Sequence, residues 1–521
     1  MKLAWLRDSC LNRYEYRIIS CFMSGQAKSI MFQGTGSGVG KSIIAAALCR
    51  VLFRMGVRVA PFKAQNMALN SFVTADGREM GRAQVYQAEA CGLDPDVRMN
   101  PILLKPTGDS RSQVIVMGRP VDHFSARDYY ACHRQHTETV RRAYDSLAAD
   151  FEAIVIEGAG SPAEINLQAT DIVNMNMASH ARSPVIVVGD IDRGGVFAWL
   201  KGTWDLVPDR HRHLIRGFII NKFRGDVSLL QPGVEQFARM VPVPVLGVMP
   251  WFEGIEVDQE DGCFVRSSGA AVCEEDAVRI CVVHLPRISN FTDFAPLGFE
   301  HDVDLAFCRS PDQAGRCSCI IIPGTKATRR DLEWMHRSGW TGYLTEAAAR
   351  GVMIAGICGG YQMLGLEVKD PDGIEGPPGT SPGLGLLPVS TVMAGRKELS
   401  QVRAEVLMPP MIPGTVQING YEIHMGRTSA EGKFMPIGPG LDEGTGAAVH
   451  DLSAWGTYIH GIFACDGFRR DFLDFLRIQS GMKPVERSRS WRKYRDEQID
   501  SLAAWMEQSV DMGAITALMG L

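Results

Sequence analysis

Residues 29–56 read SIMFQGTGSGVGKSIIAAALCRVLFRMG. A short apolar run, SIMF (29–32), enters a glycine-rich turn, and a helical pattern from Lys41 stops at Gly56. A second run, VRVAPF (57–62), follows at once. Strand, loop, helix and strand in that order form the repeating unit of a parallel sheet covered by helices on both faces. Outward from this stretch the unit recurs, with FEAIVIEG (151–158), SPVIVVGDI (183–191), RGFIINK (216–222) and VPVLGVMP (243–250) at helix-length intervals. A polar, acidic segment at 252–277 then breaks the pattern, as a domain boundary does. A second series follows: RICVVHLP (279–286), SCIIIPG (318–324), GVMIAGI (351–357) and GTYIHGIF (456–463). A loop rich in Pro and Gly, 370–383, interrupts it. The expectation is an α/β protein of two parallel-sheet domains, residues 28–251 and 278–475. A linker (252–277) joins them, a dispensable extension (1–27) precedes them, and a charged helical tail (476–521) follows.

Composition narrows the class. A chain of 521 residues is too long for one core, and 45% hydrophobic with 22% charged residues is ordinary for a globular protein. A net charge of −5 argues against a broad nucleic-acid-binding surface. Thirteen cysteines without CxxC pairs or zinc spacing suit a reducing cytoplasm rather than a disulfide framework. No apolar run reaches the ~18 residues of a membrane span, and residues 1–22 carry no signal-peptide core. Oligomeric state leaves no mark in the sequence.

QGTGSGVGKS (33–42) has the context of a phosphate loop. Its glycines let successive N–H groups of Gly34, Thr35, Gly36, Gly38, Val39 and Gly40 curl around an anion, and the helix that follows adds its positive end. Lys41 would reach the terminal phosphates of ATP, and the Ser42 hydroxyl would ligate Mg²⁺. The usual first glycine falls at residue 35, which is Thr, so this loop is one residue longer than standard. Carboxylates at strand C-termini face the ligand crevice of an open parallel sheet, which makes Glu157, Asp190 and Asp192 candidates for the metal. A loop-capping role is the alternative for each.

VMIAGICGGYQMLG (352–365) poses the second chemical question. A strand ending on Cys358, a turn permitted by Gly356 and Gly359, and a helix beyond describe a nucleophile elbow. The helix N-terminus favours a reactive thiol. Gly359 N–H is one oxyanion donor, and Gly324 or Thr325 could supply a second, each worth roughly 3–4 kcal/mol in the transition state. Of the twelve histidines, His460 in GTYIHGIF is the candidate base, with His424 as its competitor.

These motifs carry resemblances. The lengthened phosphate loop and the lysine closing the next strand, Lys63 in APFKAQN, are similar to dethiobiotin synthetase and its relatives, which phosphorylate carboxylates. That likeness implies a nucleotide role for Lys63 and an adenine contact for Asn221 in GFIINK. GICGGYQMLG and GTYIHGIF resemble the class I glutamine amidotransferase domain in its cobyric-type branch. Common members follow the histidine with a glutamate two residues on. This chain has Ile462 there, in keeping with a branch that lacks that glutamate, which leaves the group orienting His460 open, with Glu422 as one guess. From about 28 to 475, stretches such as EGAGSPAEINL, DIDRGGVFA, INKFRGD and LPRISNFTDF resemble the cobyric acid synthase family. The resemblance implies a corrinoid substrate, glutamine as nitrogen donor, and ATP-dependent amidation of the b, d, e and g carboxylates of adenosylcobyrinic acid a,c-diamide. By the same analogy Asn70, Ser71, Thr74 and Asn166 line the corrin crevice.

Two other readings stand beside this one. A sister enzyme of the a,c-diamide synthase type would amidate a different acceptor. A P-loop ATPase with a non-catalytic second domain would have no working thiol.

Overall fold

The computed structural model describes residues 27–106, 111–252, 276–485 and 489–521. The expected extension and linker fall almost wholly outside the described residues. The N-terminal half runs β1 (Lys28–Gly34), α1 (Lys41–Arg54), β2 (Val59–Phe62), β3 (Ser71–Val73), β4 (Glu79–Gly81), α2 (Arg82–Ala90), β5 (Ile102–Pro106), β6 (Ala153–Glu157), β7 (Val185–Asp190), β8 (Ile215–Phe223) and β9 (Val245–Pro250). Six of these form an all-parallel sheet in the order β9-β8-β7-β1-β6-β2. β1 shows why its run is apolar without alternation. Ile30 and Phe32 enter one core and Met31 the core on the opposite face, so both sides of the strand are buried. A smaller sheet that the periodicity did not reveal pairs Gln65–Met67, β5, Arg111–Val116 and Arg119–Ser125, and β3 with β4 makes a separate hairpin.

The C-terminal half runs β10 (Val278–Val283), β11 (Val303–Cys308), β12 (Cys319–Ile322), β13 (Met353–Ile357), α3 (Gly359–Leu364), β14 (Val389–Met408), β15 (Ile412–Ala430), β16 (Ala454–Thr457) and α4 (Asp466–Gln479). Its sheet is parallel through β11-β10-β12-β13-β16 and ends in two short antiparallel strands. The strand expected at 456–463 stops at Thr457, and His460 lies beyond it in a lone bridge with Tyr421. β14 and β15 form a hairpin with arms of 20 and 19 residues. That hairpin reaches the N-terminal half, where Tyr421 and Ile423 bury Val73, and the Tyr421 ring meets Phe72 at 4.9 Å.

The segment expected as a tail does not stand apart. α5 (Trp491–Ser509) and α6 (Met512–Met519) return to the N-terminal sheet. Leu502, Met506, Ile515 and Met519 complete the core that holds Ile30, Phe32 and Leu48. Each such buried side chain contributes about 1.5–3 kcal/mol. Arg50 of α1 binds Asp496 and Asp500 of α5, both at 2.9 Å, and Val510 bridges Gly247 of β9. Among the described residues no helix is long and apolar enough to cross a membrane.

Candidate active sites

At the phosphate end β1 delivers the loop and α1 leaves it. Gly38 and Gly40 adopt φ of 72° and 101°, a region in which a side chain is strained. A Cβ at Gly40 would fall 2.2 Å from the Asn221 amide nitrogen, because that amide donates to the Val39 carbonyl at 2.9 Å. Asn221, expected at the adenine edge, thus braces the loop itself. Lys41 Nζ donates to the carbonyls of Gly36 (2.8 Å) and Gly160 (3.2 Å), curled over the loop. Gly34, Thr35 and Gly36 complete the turn, with the Thr35 N–H tied to Val188 O at 2.9 Å.

Glu157 is the hub beneath the loop. Its carboxylate accepts from the Ser42 hydroxyl at 2.7 Å, from Lys63 Nζ at 3.0 Å and from the Gln87 amide at 2.7 Å. Burial alone would raise its pKa. The Lys63 charge and the three hydrogen bonds outweigh burial and hold the carboxylate below its ordinary value. A hydroxyl and a carboxylate oxygen 2.7 Å apart at the foot of a phosphate loop make a hard-oxygen donor set that fits Mg²⁺. Asp190 does not join them: Lys222 holds one of its oxygens at 2.8 Å, and the Asp192 N–H donates to the other at 2.9 Å.

At the thiol end Cys358 has φ 53° and ψ −110°, a strained conformation between β13 and α3 that lifts the side chain out of the sheet. The helix packs hard against the next strand: a Cβ at Gly360 would fall 1.9 Å from the Ile322 carbonyl oxygen. Cys358 is 7% exposed and faces a cavity of about 40 Å³ that Gly359, Thr325, Asn290, His424 and His460 also line. Of the two residues proposed for the second oxyanion donor, Thr325 borders this cavity and Gly324 does not. The Thr325 N–H is spare in the bridge to Ile288, which uses the N–H groups of Ser289 and Lys326.

His460 is the better placed of the two histidines. Its Nδ1 lies 2.6 Å from Asp293 Oδ2, and the other oxygen of Asp293 accepts from the Gly461 N–H at 3.2 Å. Burial disfavours the imidazolium, yet Asp293 and the nearby Cys358 sulfur raise the His460 pKa to about 10. Asp293 therefore fills the orienting position that Ile462 vacates. Glu422 is not that group, since it lies 3.9 Å from His424 Nε2 instead. Asp293 escaped sequence reading because it sits in a short 3₁₀ turn, Phe291–Phe294, 167 residues before the histidine. His424 stacks on Tyr458 at 3.7 Å and is tied through Nδ1 to Gly426 O at 2.9 Å.

The polar residues assigned by analogy to a corrin crevice divide. Asn70, Ser71 and Thr74 are buried, and Ser71 is bonded into the contact between the halves. Asn166 is exposed, with exposed Ile165 and Leu167 on either side.

Comparison with known proteins agrees with this two-site layout. Residues 30–262 match the CobQ/CobB/MinD/ParA nucleotide binding domain, and 279–468 match the CobB/CobQ-like glutamine amidotransferase domain. A cobyric acid synthase from Citrobacter koseri is 45% identical over 94% of this chain and 98% of its own length. One from Nitratidesulfovibrio vulgaris is 45% identical over 96% and 98%. The solved PurLQS structure from Thermotoga maritima overlaps 38% of this chain and 99% of its own at 18% identity and a TM-score of 0.30, too low to inform the fold. The chain belongs to the cobyric acid synthase family, ATP-dependent glutamine amidotransferases of cobalamin biosynthesis.

Proposed function

We propose that this enzyme forms four amides, at the b, d, e and g carboxylates of adenosylcobyrinic acid a,c-diamide, using one glutamine and one ATP for each. The observation that carries the reading is one cavity in which Cys358, on a strained elbow, meets an imidazole held by a buried carboxylate. Beside it stands the family membership, which supports a corrinoid acceptor.

In the thiol site the proton already rests on His460, whose pKa stands near 10, and Cys358 attacks the side-chain amide carbon of glutamine as the thiolate. The carbonyl oxygen becomes an oxyanion, to which the N–H groups of Gly359 and Thr325 donate. His460 passes the proton to nitrogen, the C–N bond breaks, and ammonia leaves behind a thioester. Water then gives a proton to His460 and releases glutamate. Throughout, Asp293 fixes the ring and balances its charge.

In the phosphate site an oxygen of the substrate carboxylate attacks the terminal phosphorus of ATP, and ADP leaves. Ammonia attacks the acyl phosphate and phosphate departs. Lys41 and the loop N–H groups stabilise charge on the transferring phosphoryl group. Ser42 and Glu157 would hold Mg²⁺, which neutralises phosphate charge. Lys63 keeps Glu157 ionised and in place.

Cys358→Ala tests the scheme. Glutamine-dependent amidation should vanish while ammonium salts still support ATP-dependent product. Failure with ammonium in a folded variant ends the two-site reading. Mass spectrometry of the corrin decides the acceptor: four successive mass steps support this proposal, and two at the a and c positions support the sister enzyme.

A further inference from the structure

Three lysines and a glutamate face the cavity that holds Cys358 and His460: Lys105, Lys326, Lys397 and Glu375. The mechanism above uses none of them. Lys105 and Lys397 share one counter-charge, the buried carboxylate of Glu79, at 3.0 and 2.5 Å. Lys326 and Glu375 are placed differently. Lys326 Nζ donates to the neutral side-chain amide of Gln113 at 3.0 Å, and Glu375 Oε2 accepts the Thr328 N–H at 2.7 Å. Among the described residues neither makes an ion pair, and an ammonium and a carboxylate so bonded both have capacity left over.

The chain fixes both positions. Lys326 follows Thr325 in the loop after β12, and its N–H is tied to the Arg287 carbonyl at 3.1 Å. Glu375 comes from the loop rich in Pro and Gly that interrupts the second series of strands. Fully buried Asp370 accepts the N–H groups of Ile374 and Glu375 at 2.7 and 3.0 Å, and Gly373 makes the turn at φ 70°. A stretch that reads as spacer in the sequence is thus fastened where its carboxylate enters the cavity.

The two charges feel one another across that cavity without closing. Burial, with Lys105 nearby, draws Lys326 below its ordinary value, and Glu375 opposes the fall. Burial pushes Glu375 up to about 7, and Lys326 opposes the rise. A simple cation or anion in the gap would meet one partner and one like charge. A ligand carrying both signs would satisfy both walls. Glutamine is such a ligand, with its α-ammonium and α-carboxylate on one carbon, a short methylene chain from the amide that Cys358 attacks.

We propose that Lys326 binds the α-carboxylate of glutamine and Glu375 its α-ammonium. The assignment rests on the reading of glutamine as nitrogen donor. Through this pair the thiol site tells glutamine from other primary amides, including those the enzyme has just made on its own product.

The test uses the full chain with ATP and Mg²⁺, and compares kcat/KM for ammonia release from three amides. They are glutamine, γ-aminobutyramide, which lacks the α-carboxylate, and glutaramate, which lacks the α-ammonium. The unaltered protein should prefer glutamine over each analogue by about 10- to 100-fold. Lys326→Met should lower kcat/KM for glutamine and glutaramate by about the same factor, and change that for γ-aminobutyramide by less than about threefold. Glu375→Gln should do the converse, with glutamine and γ-aminobutyramide falling and glutaramate holding. The losses should fall on KM more than on kcat, because the backbone contacts are alike in ground and transition states. Thermal unfolding reports that each variant is folded. A preference below about threefold in the unaltered protein overturns the assignment, and so do variants in which all three amides fall by one factor or none falls. Glutamine cleavage that Cys358→Ala still abolishes would then leave the two-site function standing.

Discussion

The thiol end and the phosphate end solve opposite problems. Around Cys358 the groups meet as side chains from distant stretches, and charge is already arranged: Asp293 supports an imidazole raised to about 10 before any substrate arrives. Around Lys41 the working groups are mostly backbone, and the one strong carboxylate spends its capacity on Ser42, Lys63 and Gln87. A nucleophile must be prepared in advance, because its proton has to go somewhere at once. A phosphate brings its own charge and oxygen atoms, so a loop of N–H groups with a parked lysine is enough.

The sharpest way to break this contrast is Asp293→Asn. Glutamine hydrolysis should fall about 10³–10⁴-fold, as the ring loses its orienting acceptor, while ammonium-supported amidation persists. The alkaline limb of glutamine hydrolysis should also move down by about 1–3 pH units, since the imidazolium loses its counter-charge. The same pair affects stability. The pKa of His460 rises from 6.5 to about 10 on folding, so its contribution is fully present below pH 6.5 and is lost as pH climbs through about 10. Thermal unfolding from pH 7 to 10 should therefore show a steeper decline in the unaltered protein than in the variant.

Lys41→Ala is the counterpart at the other end and should cost about 10²–10³-fold with either nitrogen source, because one preorganised cation is missing from phosphoryl transfer. A variant that loses only glutamine-dependent activity would erase the distinction between the ends. The smallest effect is expected at Arg50→Met, where the Asp496 and Asp500 partners are 58% and 55% exposed. Chemical denaturation should register a loss of no more than about 1 kcal/mol.

What could be read in the sequence follows the same divide. The phosphate loop, its strand and its helix are local, and residues 28–62 carry them almost complete. Cys358 was legible because an elbow needs glycine on a strand-to-helix turn, and His460 because of its glycine-flanked position. Asp293 was not, since its role depends on a contact with a residue 167 positions further along the chain. The β14–β15 hairpin was overlooked for a different reason. Its outer arms are half exposed, so they lack the continuous apolar run by which buried strands were recognised. The segment after 475 looked like a charged tail because only one stripe of α5 is apolar, and its partner, α1, is encoded more than four hundred residues earlier.

That return of α5 and α6 has a consequence for biosynthesis. The nucleotide-side core is finished only by Leu502, Met506, Ile515 and Met519, which are synthesised more than four hundred residues after α1. At about 5–20 residues per second, the apolar back of α1 waits roughly 15–50 s for its cover after the first half has been synthesised. During that interval the nascent chain offers chaperones a greasy helix, and a fragment ending near residue 250 would keep offering it for good.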